Sequence, residues 1–561
     1  MTKKTNKYPP KKPDNSHIVK ANPKRDWSRY QKDIFKDIAK ENDHTVVIAR
    51  AGSGKTSTIV EGFRYIPKGK KTLMVAFNKS IADELKQRAP SYVDVLTLHS
   101  LGFRSIKQSF GEVVLDNDKC RTIVGTIIGT SYDLWELNQS ICKCVSLCKG
   151  FLFDTPSRIE ELIEKFGIEI FELTKEKFIQ IVIKVLASCK TQKQVIDFDD
   201  MIWFPFVYRL NVGKFDVVFV DEAQDLNAAQ MAMVLSACKI DGRIIAVGDP
   251  AQSIYQFRGA DSEAIPNFIN KLKAKTLPLS VTYRCPQKIV KLAQEIVPDI
   301  ECAANAPEGK VENIQVVEFL KMVKPGDFVL SRTNAPLIKH CMALLKAGVP
   351  ANIQGRDVGA NLIYFIKKSK SKTIKDFTAY VNAWKDQEIE RLLSEKKDTT
   401  TCLDKAECLL NLCEGTLTLK DLKETIEKLF NDVADDKKVI FSTTHKAKGL
   451  ERDRVFMLIN TYRYGPGVSG EEANLYYVAV TRAKKELYMV RGPSKYSKYD
   501  DKKKKKPMID PNTGEIHNPC SNFLCEGCDE CCDSDHHFID HYYSESAQIL
   551  KYKNWQNTIT I

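Results

Sequence analysis

Six short apolar runs rich in β-branched residues mark the first half of the chain: TVVIA (45–49), TLMVAF (72–77), VDVLTL (93–98), DVVFV (216–220), RIIAV (243–247) and TLPLSV (276–281). Four more follow: DFVLS (327–331), VIFST (439–443), RVFMLI (454–459) and ELYMV (486–490). They are nearly continuous rather than alternating, which is the pattern of parallel strands covered on both faces. Between them lie stretches with apolar residues at helical spacing, beginning with DWSRYQKDIFKDIAKEN (26–42). Strand–helix alternation of this kind predicts an α/β fold with parallel sheets.

The spacing of the runs predicts two cores. VDVLTL and DVVFV are separated by about a hundred residues of mostly helical character, far beyond an ordinary crossover, so a helical insertion is expected over about 104–195. A shorter, charge-rich helical insertion is expected over about 356–435. The N-terminal core then spans 26–280 and the C-terminal core 281–492. Residues 1–25, rich in Lys, Pro and Asn, read as a basic arm without fixed structure, and 493–561 as a Lys-rich linker and a Cys/His-rich tail.

Composition narrows the class of function. No apolar run approaches the roughly 18–20 residues of a membrane helix, and the N-terminus has no apolar stretch for a secretion signal. The expectation is an intracellular protein with no membrane partner, in which the 17 cysteines are thiols or metal ligands rather than a disulfide framework. A formal net charge of +13 leans toward a polyanionic partner.

The candidate chemistry begins at ARAGSGKT (49–56), directly after the first apolar run. Glycines at such a turn let backbone N–H groups face inward and cradle phosphate. Ala51, Gly52, Ser53, Gly54, Lys55, Thr56 and Ser57 are the expected nucleotide contacts. Lys55 would reach the β- and γ-phosphates and Thr56 would hold Mg²⁺. A phosphate loop calls for an acid at the end of a neighbouring strand, and FDVVFVDEAQD (215–225) supplies two. Asp221 would bind Mg²⁺, and Glu222 would orient and deprotonate the attacking water. Phosphoryl transfer also calls for positive charge on the γ-phosphate, for which Arg284 and Arg482 are candidates.

The ordered set WSRYQ, ARAGSGKT, AFNKSI, TLHSLGF, FVDEAQD, GDPAQSIYQFRGA, TYR, STTHKAKGLE and NLYYVAVTRAKK resembles the motifs of UvrD/Rep-type superfamily 1 DNA helicases over roughly residues 26–491. Its wording is closest to the F-box DNA helicase branch. No F-box-sized segment precedes the core, so coupling to a ubiquitin ligase is not expected. The resemblance implies two RecA-like P-loop domains and an ATP- and Mg²⁺-dependent 3′→5′ DNA helicase or translocase acting in replication, recombination or repair. The implied partners are single-stranded DNA and single-/double-strand junctions, met by a monomeric core in the nucleus or at a cytoplasmic replication site. Stripping of recombinase or other proteins from single strands is the alternative role.

Residue by residue, the resemblance implies that Gln31 reads the adenine edge and Tyr283 stacks on the base. Gln252 senses the γ-phosphate, Arg284 and Arg482 reach across the cleft, and Glu451 lies near the ribose. Phe77, Asn78, Lys79, Thr97, His99, Tyr255, Phe257, Arg258, Thr444 and His445 are the implied strand contacts. Two departures stand out. Phe257 occupies a position where many relatives carry tryptophan, and Ala49 replaces the first glycine of the phosphate loop. The second insertion is also much shorter than its bacterial counterpart.

Two segments lie outside these motifs. Cys520, Cys525, Cys528, Cys531, Cys532, His536, His537 and His541 crowd into the tail with Cys-x-x-Cys spacing, which suits zinc. Incidental cysteines in a tail are the plain alternative. Lys502–Lys506 is a solvated linker or a phosphate-binding or nuclear-import patch.

Overall fold

The computed structural model describes residues 26–40, 43–131, 134–256, 259, 263–395, 397–430, 432, 436–463, 468 and 470–492, with the backbone of 508–509 and 516–517. Residues 1–492 form one compact unit and 493–561 a second. Of the second unit, two short strands, Met508–Ile509 and Ile516–His517, pair antiparallel. The expected metal ligands of the tail lie outside the described residues.

The first half begins with β1 (Thr45–Ala49), β2 (Thr72–Ala76) and β3 (Val93–Thr97). A helical insertion follows, flanked by the short parallel pair β4 (Val114–Leu115) and β5 (Val195–Ile196). β6 (Phe215–Val220), β7 (Cys238–Gly248) and β8 (Lys275–Leu279) complete the half. The sheet is all-parallel, in the order β3-β2-β6-β7-β1-β8. Its inner strands β2 and β6 are buried along nearly their whole length, which is why they read as continuous apolar runs.

The second half opens with the small pair β9 (Val281–Thr282) and β10 (Glu301–Cys302). Its sheet comprises β11 (Lys310–Gln315), β12 (Phe328–Ser331), β13 (Ala351–Ile353), β14 (Val439–Thr443), β15 (Arg452–Leu458) and β16 (Ala483–Arg491). It is again all-parallel, in the order β11-β16-β15-β12-β14-β13. Four helices between Arg356 and Leu429 form the second insertion. The apolar pattern did not signal β11 or β13. β11 is a largely exposed edge strand, KVENIQ, paired only with β16. β13 spans three residues.

The first insertion has its own core, built around Ile141, Val145, Phe178, Val182 and Phe204. A buried charge cluster ties it down. Lys119 Nζ lies 2.6 Å from Asp200, and Lys149 Nζ lies 2.8 Å from both Asp197 and Asp200. Asp197 and Asp200 also form the capping box that starts the helix Phe198–Val207, so the cluster fixes a helix start as well as pairing charges. The two insertions touch. Trp135 stacks on Tyr364 with ring centroids 3.7 Å apart, and Glu136 and Glu169 pair with Lys368 (2.6 Å) and Arg391 (2.7 Å).

Candidate active site

Parallel strands bring the loops after their C-terminal ends to one edge of the sheet. The loops after β1, β6 and β7, which are adjacent strands, carry the residues expected at the nucleotide. β1 ends at Ala49, and the chain turns through Gly52 (φ 72°) and Gly54 (φ 80°) into the helix Lys55–Gly62. Glycine is required at position 52. A Cβ there would lie 2.5 Å from both Arg284 Cβ and Thr282 Oγ1, at a left-handed φ. The loop is thereby pressed against the segment that carries Tyr283 and Arg284, and Tyr283 N–H donates to Gly52 O at 2.9 Å. Ser53 Oγ is buried without a hydrogen-bond partner. An orphaned hydroxyl beside two left-handed glycines at a helix N-terminus fits a phosphate group.

The charges converge on the same place. Lys55 Nζ lies 2.8 Å from Glu222 Oε2. Burial alone would lower the lysine's pKa, but Glu222, Asp221 and Asp249 raise it. Burial, then the neighbouring Glu222, pushes Asp221 above the usual carboxylate range. Burial opposes ionisation of Glu222 too, yet Lys55 and Lys448 hold it below its ordinary value. Lys55 and Lys448 thus hold Glu222 as a carboxylate, able to accept hydrogen bonds and so to orient a water. Asp221, buried beside Glu222, is the carboxylate whose ionised form a divalent cation would favour.

Other expected nucleotide residues are close by. Gln31 is buried, with its amide Nε2 donating to Thr58 Oγ1 at 2.8 Å and its Oε1 accepting Ser28 N–H at 3.1 Å. Tyr283 is 45% exposed. Arg284 forms an ion pair with Glu451. Arg482 is buried, its Nε donating to Val478 O at 2.7 Å and its Nη2 to Thr481 Oγ1 at 3.0 Å. Burial, then Arg284 nearby, lowers its pKa to about 10, so it remains a cation at neutral pH.

The expected strand contacts are more mixed. Phe77 is 40% exposed just after β2, and Lys79 is exposed two residues on. Asn78 Oδ1 accepts Ile81 N–H and Thr97 Oγ1 accepts Ser100 N–H, so both cap helices. Thr444 is fully buried, its hydroxyl 2.6 Å from that of Tyr462. His445 is half-buried, 4.0 Å from Glu471. His99 packs edge-on against Phe198 at 6.0 Å, and burial lowers its pKa. Phe257 and Arg258 lie outside the described residues.

Several residues that the motif reading did not single out hold the site together. Asp249, fully buried, accepts from Arg50 Nη1 (3.0 Å), Gln252 Nε2 (2.8 Å) and the Tyr477 hydroxyl (3.2 Å). Gln224 links it to the acids: its Oε1 accepts Asp249 N–H at 3.0 Å and its Nε2 donates to Glu222 Oε2 at 2.7 Å. Lys448, from the second half, pairs with Asp225 (2.5 Å) and donates to Gln252 O (2.6 Å). The only available signal was a set of polar residues inside otherwise apolar motifs. Phe198 is a further omission, an aromatic ring 49% exposed beside His99 and at the rim of an open cavity of about 330 Å³.

The loop after β7 is held by both halves. Asn474 Nδ2 donates to Ser253 O (3.0 Å), the Tyr255 hydroxyl donates to His445 O (3.0 Å), and Ile254 is buried against Leu475 and Val478. One short loop thus carries a glutamine held by Asp249, a tyrosine that reaches His445 of the second half, and an apolar plug between the two.

The profile of the UvrD/REP helicase N-terminal domain matches residues 30–273, and that of the UvrD-like helicase C-terminal domain matches 367–492. The chain belongs to the UvrD/REP helicases. A viral superfamily 1 RNA helicase core profile also matches residues 206–345. Among relatives of this UvrD/REP member, F-box DNA helicase protein 1 of Schizosaccharomyces pombe is 25% identical over 514 residues, covering 79% of this chain and 55% of the relative. F-box DNA helicase 1 of Gallus gallus is 27% identical over 507 residues, covering 79% and 47%. The ATP-dependent DNA helicase PcrA of Bacillus subtilis is 27% identical over 396 residues, covering 60% and 50%. The chain spans about half the length of the curated relatives it matches. Among the described residues, no helix is long and apolar enough to cross a membrane.

Proposed function

We propose that the two parallel sheets are RecA-like cores of an ATP- and Mg²⁺-dependent motor that moves 3′→5′ on single-stranded DNA and opens duplex ahead of it. The observation that carries this reading is the junction of the β7 loop with both halves, because it joins the phosphate site to the strand-contact loops. ATP binds on the loop 49–56, with Lys55 on its phosphates and Mg²⁺ on Thr56 and Asp221. For that, Lys55 exchanges Glu222 for phosphate, which leaves Glu222 free to act on water. Arg284 and Arg482 complete the charge around the γ-phosphate from the second half.

The strand runs over Phe77, His99, Phe198, Tyr255 and Phe257, with Arg258, Lys79 and His445 along its backbone. Base stacking on such rings is worth roughly 1–3 kcal/mol each and tolerates any base. Each duplex step opened costs on average about 1.4 kcal/mol of stacking, a load that one hydrolysis can carry. The work done on DNA belongs to replication, recombination or repair. The shortness of the second insertion favours a second role, clearing bound proteins from single strands with modest unwinding.

Strand displacement on 3′-tailed, 5′-tailed and forked DNA tests the polarity. Displacement of 3′-tailed and forked substrates by the wild type, and not by Glu222→Gln, is expected. Equal activity on 5′-tailed DNA would exclude the proposed direction.

A further inference from the structure

We infer that Tyr477 is a positioning residue that makes the phosphate sensor of the first half depend on the arginine-bearing helix of the second; this rests on the nucleotide site proposed above. Tyr477 is fully buried near the end of the helix Glu471–Val480. Its hydroxyl accepts Ala51 N–H, in the phosphate loop, at 3.0 Å and donates to Asp249 Oδ2 at 3.2 Å. Gln252 Nε2 donates to that same oxygen at 2.8 Å. The other oxygen of Asp249 takes Arg50 Nη1 at 3.0 Å and Ala251 N–H at 3.2 Å. Of these partners of the Asp249 carboxylate, Tyr477 alone comes from the second half.

The other end of the connection is equally definite. Thr481 Oγ1 donates to Tyr477 O at 2.9 Å and accepts Arg482 Nη2 at 3.0 Å. Arg482 Nε donates to Val478 O at 2.7 Å. Tyr477 and Arg482 are therefore parts of one rigid turn. When the cleft opens and Arg482 withdraws, the tyrosine hydroxyl leaves with it. Asp249 Oδ2 then keeps Gln252 alone, and the carboxylate that anchors the sensor is held by the first half only. When the cleft closes on ATP, arginine and sensor arrive together. A phenylalanine would fill the same space, but it would leave Ala51 N–H without its partner and Asp249 one hydrogen bond short.

The test is ATP turnover on single-stranded DNA by wild type, Tyr477→Phe, Gln252→Ala and the double variant. Tyr477→Phe is expected to lower kcat at least tenfold, with KM for ATP within about twofold and strand affinity without nucleotide unchanged. Because Tyr477 acts through Gln252, the double variant should be no slower than Gln252→Ala alone. Asp249→Asn is expected to give the same split between kcat and KM, and it serves where Tyr477→Phe does not fold. Unchanged kcat in Tyr477→Phe and Asp249→Asn, or additive losses in the double variant, would overturn the assignment. So would a fall in kcat matched by loss of strand affinity, which marks a merely structural role. A wild type without strand-stimulated turnover would instead defeat the proposed function itself.

Discussion

At the scale of single residues, buried charge separates structural from chemical roles. Lys149 lies in the first insertion with Asp197 and Asp200, and all three are nearly solvent-free. Lys149→Met leaves the two acids with Lys119 alone. Breaking such a cluster costs about 3 kcal/mol or more, so urea unfolding of this variant should begin at clearly lower denaturant. Gln252 differs, because its side chain serves Asp249 rather than a core. Gln252→Ala is expected to keep single-strand Kd within about threefold while strand stimulation of ATP turnover is lost, as read by fluorescence anisotropy and phosphate release. His340 gives a pH signature. Burial, helped by Lys339, lowers its pKa from 6.5 to about 4. The unfolded chain therefore takes up the proton first. Stability from this group is fully present above pH 6.5 and is lost as pH falls toward 4, by up to about 3 kcal/mol. His340→Gln should flatten that part of a pH–stability profile.

At the scale of elements, legibility followed burial. β2 and β6, covered on both faces, were plain in the sequence, as were the motif loops after β1, β6 and β7. β11 was not, because an exposed edge strand reads KVENIQ and carries no apolar run. The roles of Asn78 and Thr97 as caps were hidden for another reason: the same short polar side chains suit a helix start and a nucleic-acid contact. The contact between the insertions was also illegible, since Trp135 and Tyr364 are more than two hundred residues apart and no local pattern pairs them. That contact has a measurable strength. A double-mutant cycle on Trp135→Ala and Tyr364→Ala should give a coupling of about 0.5–1.5 kcal/mol. A value near zero would mean that the insertions do not hold each other in solution.

At the scale of the whole molecule, the two halves are joined at the loop after β7, between the proposed nucleotide site and the proposed strand contacts. Lys448 reaches Asp225 and Gln252 O, Asn474 reaches the loop carbonyls, Ile254 plugs the second half, and Tyr477 reaches the phosphate loop. Of the residues at this junction the motifs singled out Ala51, Gln252, Tyr255 and His445, but not Asp225, Ile254, Lys448, Asn474 or Tyr477. They did not reveal that GDPAQSIY is gripped from both sides, because Asn474, Leu475 and Val478 look like ordinary helix positions until the fold brings them there. A loop held in this way couples the proposed phosphate site to the proposed strand contacts. The most direct measurement is steady-state ATP turnover with and without single-stranded DNA, for the wild type and for Lys55→Ala. At least tenfold stimulation by the strand, abolished in Lys55→Ala, is the predicted result. Turnover indifferent to DNA, or surviving the loss of Lys55, would contradict the coupling of the two sites.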